Sequence, residues 1–199
     1  PTPLRGEAQI SGAKNSISKL LTASMLTSDP CAFSGVPRIG ETDITCALCE
    51  SMGSRHRETG PGQIEAWTDR ITSTTVPDEL ALRNRLSVMM LAPLLHRAGT
   101  ATIHAAGGDR IGPRPVTFHL DAYRAMGAEV RVEGNVYHLN ATRLRGAPIT
   151  LPYPSVTATE NVLMAATLAE GTTCLRNAAI EPEILDLVEF LLKMGAMIR

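Results

Sequence analysis

EPEILDLVEFLLKMG, residues 181–195, sets its apolar side chains at Ile184, Leu187, Val188, Leu191 and Leu192, the i, i+3, i+4, i+7, i+8 spacing of one helix face. Pro182 stands near the start, where a missing N–H is no loss, and Gly195 stands just past the end, where a left-handed residue is wanted. The spacing predicts a helix that closes on a Met-Gly pair. The same pair occurs at Met52-Gly53, at Met126-Gly127 74 residues on, and at Met194-Gly195 a further 68 residues on. Upstream of each pair lies another apolar, helix-like stretch, at Leu20 to Leu26, Leu86 to Leu95 and Asn161 to Ala169. Each of these runs through a turn into a short strand-like segment: DPCAFSGV (29–36), AGTATIHA (98–105) and EGTTCLRN (170–177). A repeat of about seventy residues therefore organises the chain.

After the Met-Gly pair, copies one and two continue into hairpin patterns. The second, AEVRVEGNVYHLNA (128–141), turns at Glu133-Gly134-Asn135. Each unit reads βαβαββ, and copy three reaches GAMIR (195–199) where its hairpin is due. The expectation is an α/β protein forming a single domain over 1–199, with repeats at about 1–70, 71–143 and 144–199, the third incomplete. A chain that also opens without Met is expected to be a piece of something longer.

Composition narrows the function classes. The chain has 199 residues, is 44% hydrophobic and only 20% charged, which supports a packed core and argues against disorder. Nineteen basic and twenty acidic side chains leave a formal charge of −1, so no general attraction to nucleic acid or to an anionic membrane is implied. Seven aromatic residues are few for a surface that stacks single-stranded bases. No apolar run has the length of a membrane span or the form of a signal peptide, and the expected location is the cytoplasm. Cys46 and Cys49 form a CxxC, but ITCALCESM (44–52) reads as an amphipathic helix with no second pair to complete a zinc site. They are read as reduced thiols, and Cys31 and Cys174, in strand-like stretches, as small hydrophobes.

Two features could carry chemistry. The first helix of each copy is expected to open on a polar cluster: Lys14-Asn15, Asn84-Arg85 and Glu160-Asn161. Under an approximate threefold relation these N-termini converge, and their free N–H groups and dipoles favour anions. One exposed helix end contributes only about 0.3–1 kcal/mol, so cations such as Lys14, Arg85 and Arg114 must do most of the holding. The plainer alternative is capping and solubility, and Thr157 with Glu160 fits an S/T-x-x-E capping box. The second feature is AAGGDRIGPRPVTFH (105–119), a Gly-rich loop with Asp109 and Arg110 at its tip and Pro113 and Pro115 stiffening its exit. It is not a Walker A loop, because no Gly-Lys-Ser/Thr follows.

Taken together, ISGAKNS (10–16), GGDRIGPRPVTFH (107–119), PSVTATEN (154–161) and LAEGTTCLRNAAIEPEILDL (168–187) resemble the enolpyruvyl transferases, and within them the branch that acts on UDP-N-acetylglucosamine. The resemblance runs along the whole chain. It implies an inside-out α/β barrel of three βαβαββ units, here the first of two such domains. It also implies transfer of enolpyruvate from phosphoenolpyruvate to the 3-hydroxyl of UDP-N-acetylglucosamine with release of phosphate, a step of peptidoglycan synthesis, with no cofactor and no metal. Lys14 and Asn15 match residues that meet phosphoenolpyruvate, and Arg85 matches a ligand-binding arginine. Arg114, Pro115, Val116, Thr117 and Phe118 match the segment that contacts the UDP sugar, and Tyr153, Pro154, Ser155 and Val156 a further nucleotide-binding stretch. Asp109 stands at the loop tip where many members have Cys and some have Asp, and is implied to protonate the methylene carbon. The base that deprotonates the sugar hydroxyl is implied to lie in the second domain. Thr117 stands where the family commonly has Asp, and Thr157 where it commonly has Gly. The alternatives are the sister activity on 3-phosphoshikimate and a non-catalytic binding module of the same fold.

Overall fold

The computed structural model describes residues 10–104 and 115–199, together with 3 and 5–8. The chain opens with α1 (Lys14–Ser24), β1 (Cys31–Ser34), α2 (Gly40–Ser51), β2 (Arg55–Gly60) and β3 (Gln63–Trp67). There follow α3 (Asp78–Ala81), a 3-10 turn (Leu86–Met90), α4 (Leu91–Ala98), β4 (Thr100–His104), α5 (Thr117–Ala125), β5 (Glu129–Glu133) and β6 (Val136–Asn140). The last elements are β7 (Pro148–Thr150), α6 (Val156–Thr167), β8 (Cys174–Arg176) and α7 (Pro182–Lys193).

The strands form small sheets with a common plan. Sheet order is β1-β3-β2 in the first and β4-β6-β5 in the second, all pairs antiparallel, so each hairpin lays its second strand against the strand that preceded it by a helix. The second hairpin turns on Gly134, at φ 60°, with Glu133 opposite Val136. The third sheet is β7 parallel to β8. A single parallel bridge, Thr75 to Thr102, occupies the corresponding place in the middle of the chain. At the start of the chain, the described residues before α1 form no strand, and one backbone bond from Gly12 N–H to the Gly35 carbonyl (2.8 Å) stands there instead.

The Met-Gly pairs are the same helix stop made three times. At the end of α2, Gly53 N–H donates to the Glu50 carbonyl and Ser54 N–H to the Cys49 carbonyl, both at 3.0 Å. Gly127 and Ala128 repeat this on Arg124 and Tyr123, and Gly195 and Ala196 on Leu192 and Leu191. These paired 5→2 and 6→1 bonds define the Schellman motif, and each glycine has the positive φ it requires, 112°, 90° and 99°. Between Leu86 and Leu95 the expected single helix is divided. The ring of Pro93 would meet the carbonyl of Met89, four residues back, so the chain runs as a 3-10 turn to Met90 and as an α-helix only from Leu91.

The helices build most of the interior. Leu91 and Leu94 of α4, Met164 of α6 and Leu187 of α7 are fully buried, and Ile103 and Leu139 add the inner face of the second sheet. A smaller cluster, with Ile17, Leu21, Phe33 and Ile64, lies between α1, α2 and the first sheet. Phe190 of α7 packs on Phe33 with ring centroids 5.4 Å apart, joining the end of the chain to its beginning. Arg97 makes the other long-range tie: its guanidinium donates to the carbonyls of Met25, Thr27, Thr68 and Asp69 at 2.7–3.2 Å.

All four cysteines are free. Cys46 and Cys49 are buried on α2, and burial pushes the Cys46 thiol up to about 11 and that of Cys49 higher still. Cys174 stands on a strand as expected, and it is exposed on β8, which among the described residues pairs only with β7. Among the described residues no helix is long and apolar enough to cross a membrane, and no group of three or more His, Cys, Asp and Glu side chains is arranged to hold a metal.

Candidate functional site

The helices differ in the charge they place at their starts. α2, α3 and α7 place acidic side chains in their first turns, as a helix dipole prefers. α1, α5 and α6, which carry matched residues, have none there, and neither has α4, which carries none. α1 goes further, since it opens on Lys14 itself, with no side-chain cap from Ala13. A cation at a helix N-terminus works against stability, and this arrangement is rational when an anion supplies the missing charge. Lys14 and Asn15 are both exposed, and Asn15 donates from its side-chain amide to Glu183 at 3.0 Å.

The starts of α5 and α6 meet. His119, in the first turn of α5 and 1% exposed, lies 3.1 Å through Nδ1 from the Asn161 amide and 3.4 Å through Nε2 from the Thr157 hydroxyl. The Asn161 amide also donates to the Val88 carbonyl at 2.8 Å, and its oxygen accepts from Tyr123. A carbonyl can only accept, so the amide orientation is determined. The amide then donates to Nδ1, which leaves the proton of the neutral imidazole on Nε2, facing Thr157. Burial first, and then the Arg85 guanidinium, push His119 down to about 3, so it is neutral at any physiological pH. Arg85, half-buried just ahead of the 3-10 turn, thus joins this group electrostatically.

The other matched residues occupy the approaches. Val116 is the buried N-cap of α5, while Pro115 and Thr117 beside it are exposed and Phe118 is half-buried. Thr117 and Phe118 therefore begin a helix. Tyr153 and Pro154 are exposed in the turn before α6, and Ser155 and Val156 are half-buried at its start. Asp109 and Arg114, with Arg110, lie outside the described residues.

The capping box offered as the plainer alternative for Thr157 and Glu160 does not form. The N-cap is Ser155, whose hydroxyl accepts from Ala158 N–H at 3.4 Å, and Glu160 and Asn161 lie a turn inside the helix. Glu160 is fully buried, and its Oε1 is 3.8 Å from Nζ of Lys19, a turn inside α1. Its carboxyl is pushed up to about 8, by burial above all, with Lys19 pulling down and Glu183 and Glu181 pushing up. Residue reading had also missed His119 and Tyr123. Their signal is visible in retrospect as paired i, i+4 spacings: His119 with Tyr123 on α5, and Thr157 with Asn161 on α6, two polar pairs on helix faces that meet.

Curated relatives share this sequence along almost its whole length. UDP-N-acetylglucosamine 1-carboxyvinyltransferases from Gloeobacter violaceus, Protochlamydia amoebophila and Dichelobacter nodosus are 44%, 41% and 43% identical over 98% of the chain. The chain spans 43–47% of their lengths. Among solved structures, the enolpyruvyl transferase NikO from Streptomyces tendae superposes with a TM-score of 0.85 at 24% identity, over 98% of this chain and 46% of that one. EPSP synthase from Acinetobacter baumannii superposes with a TM-score of 0.71 at 16% identity, over 90% and 42%. At such identities these two establish likeness of fold. A family profile, described as EPSP synthase (3-phosphoshikimate 1-carboxyvinyltransferase), matches residues 1–199, and the chain belongs to that family.

Proposed function

We propose that this chain is the first domain of a two-domain cytoplasmic transferase. Its reaction moves enolpyruvate from phosphoenolpyruvate to the 3-hydroxyl of UDP-N-acetylglucosamine and releases phosphate, in peptidoglycan synthesis. The observation that carries the reading is 41–44% identity, over 98% of the chain, to proteins of that name. On this reading the three units close into an inside-out barrel over 1–199, with the third hairpin and a second domain supplied by the rest of the protein. Lys14 and Asn15 hold phosphoenolpyruvate, and Arg85 is a further ligand-binding arginine. Arg114, Pro115, Val116, Thr117 and Phe118 with Tyr153, Pro154, Ser155 and Val156 hold the nucleotide sugar. Asp109 gives a proton to the methylene carbon as the sugar oxygen, its own proton taken by a base of the second domain, bonds to the adjacent carbon, and the intermediate then loses phosphate and that methyl group a proton. The helix starts without acids suit a site for phosphate and diphosphate, and charged donors in a fork suit such oxygens best.

A second reading, the same transfer to 3-phosphoshikimate, draws on the description of the family profile. Phosphate release separates the two. The two-domain protein is expected to release phosphate from phosphoenolpyruvate with UDP-N-acetylglucosamine and not with 3-phosphoshikimate, and the 199-residue chain alone to release none. Asp109→Asn should lower kcat by about 10²-fold or more, because an amide cannot deliver the proton. Turnover with 3-phosphoshikimate alone would overturn the first reading in favour of the second. Nucleotide-sugar binding without turnover would favour a binding module.

A further inference from the structure

Glu160 is an anomaly that the proposed reaction does not use. It is 0% exposed, and among the described residues neither carboxyl oxygen has a hydrogen-bond partner. Among the described residues its ion-pair partner is Nζ of Lys19 at 3.8 Å, close enough for charge and too far for a hydrogen bond. Lys19 is itself buried, and its ammonium donates instead to the backbone carbonyl of Asn15 at 2.8 Å. It lies directly beneath the first turn of α1, where Lys14 and Asn15 face out.

We propose that Lys19 and Glu160 are a positioning pair for the anion-binding end of α1. With Glu160 protonated, Lys19 braces the Asn15 carbonyl and adds an uncompensated positive charge under Lys14 and Asn15; with Glu160 ionised, that charge is cancelled and the brace is drawn away. The proposal rests on the reading of Lys14 and Asn15 as the phosphoenolpyruvate-binding residues. A buried carboxylate without donors is strongly disfavoured, which is why the proton stays until about pH 8.

The surroundings make Glu160 the group that switches in the alkaline range. From α1 it faces Lys19, and Lys14 lies a turn away. From the entry to α7 and its first turn come Glu181 and Glu183, and on α7 Asp186 is bonded to Ser16. From α5, His119 reaches Thr157 and Asn161 beside Arg85, and from α4, His96 donates to the Ala165 carbonyl at 2.7 Å. Burial lowers both imidazoles, so both are already neutral at pH 8.

The test uses the two-domain protein, wild type, Glu160→Gln and Lys19→Met, with two readouts. Side-chain carboxyl 13C NMR of Glu-labelled protein should show one carboxyl titrating near pH 8, absent in Glu160→Gln and shifted further up in Lys19→Met. In steady-state kinetics, KM for phosphoenolpyruvate in wild type should rise about five- to tenfold as pH passes from 7 to 9, with kcat and the KM for UDP-N-acetylglucosamine little changed. In Glu160→Gln that rise should vanish, and in Lys19→Met KM should be raised at every pH. An unchanged KM for UDP-N-acetylglucosamine certifies that each variant is folded. A Glu160 that titrates in the ordinary carboxylate range, or an alkaline rise that persists in Glu160→Gln, would overturn the inference. Wild type that does not turn over phosphoenolpyruvate at any pH would overturn the functional reading and the inference with it.

Discussion

His119 illustrates how one residue acquires its state from its neighbours. The same imidazole in water would be half-charged near pH 6.5. Between α5 and α6 it is 1% exposed, bonded to Asn161 and Thr157, and faced by Arg85, and it stays neutral to about pH 3. Its folded pKa lies below its unfolded one, so the stability tied to the neutral ring is complete above about pH 6.5 and drains as pH falls towards 3. By pH 5 the loss from this group should be about 2 kcal/mol relative to pH 7.5. Urea unfolding of wild type and His119→Gln at the two pH values checks this. The variant should be less stable at pH 7.5, having lost two hydrogen bonds, yet lose about 2 kcal/mol less on acidification. Equal acid losses in the two proteins would refute the assignment. Thr157 belongs to the same local group. The hydroxyl that stands where the family commonly has Gly is the one that meets His119 Nε2.

At the scale of elements, the three Schellman stops share geometry but not surroundings. A Cβ on Gly127 or Gly195 would meet nothing within 4 Å, whereas on Gly53 it would lie 2.5 Å from the Arg70 carbonyl oxygen and 2.9 Å from the Thr72 nitrogen. Gly127→Ala should therefore cost only the strain of a left-handed alanine, about 1–2 kcal/mol. Gly53→Ala should cost about 3 kcal/mol or more, because two backbone atoms must also move. Denaturant midpoints of the two variants test the order, and equal destabilisation would contradict the close approach at Gly53. These stops were legible in the residues because a Schellman motif is local: a glycine, the residue after it and the last turn of the helix suffice. The hairpin over Glu133 to Val136 was legible for the same reason. The split at Leu91 was also written locally, in Pro93, but apolar periodicity overrode it in reading Leu86 to Leu95 as one helix.

At the scale of the molecule, Arg97 ties the end of α4 to backbone that follows α1 and β3. Four carbonyls converge on its guanidinium, and a planar fork serves them where a single ammonium would not. Arg97→Met should destabilise the chain by about 3 kcal/mol, and Arg97→Lys should recover less than half of that. Thermal or urea unfolding reads both, and full recovery by lysine would show that charge alone matters there.

The residues by themselves determined what short-range geometry governs: the period of the Met-Gly pairs, the helix over 182–193, the two hairpins and the resemblance carried by four segments. The tertiary structure alone decided what depends on distant neighbours. Thr157 and Glu160 spell a capping box, yet Ser155 caps the helix and Glu160 turns inward, because α7 packs on α6 and Lys19 of α1 arrives from 141 positions earlier in the chain. Cys174 reads as a strand residue and is one, but exposed, because exposure depends on which strands flank β8 and not on β8 itself. Protonation follows the same division. An isolated stretch of sequence carries ordinary pKa values, and only the removal of water by packed elements drives His119 down and Glu160 up.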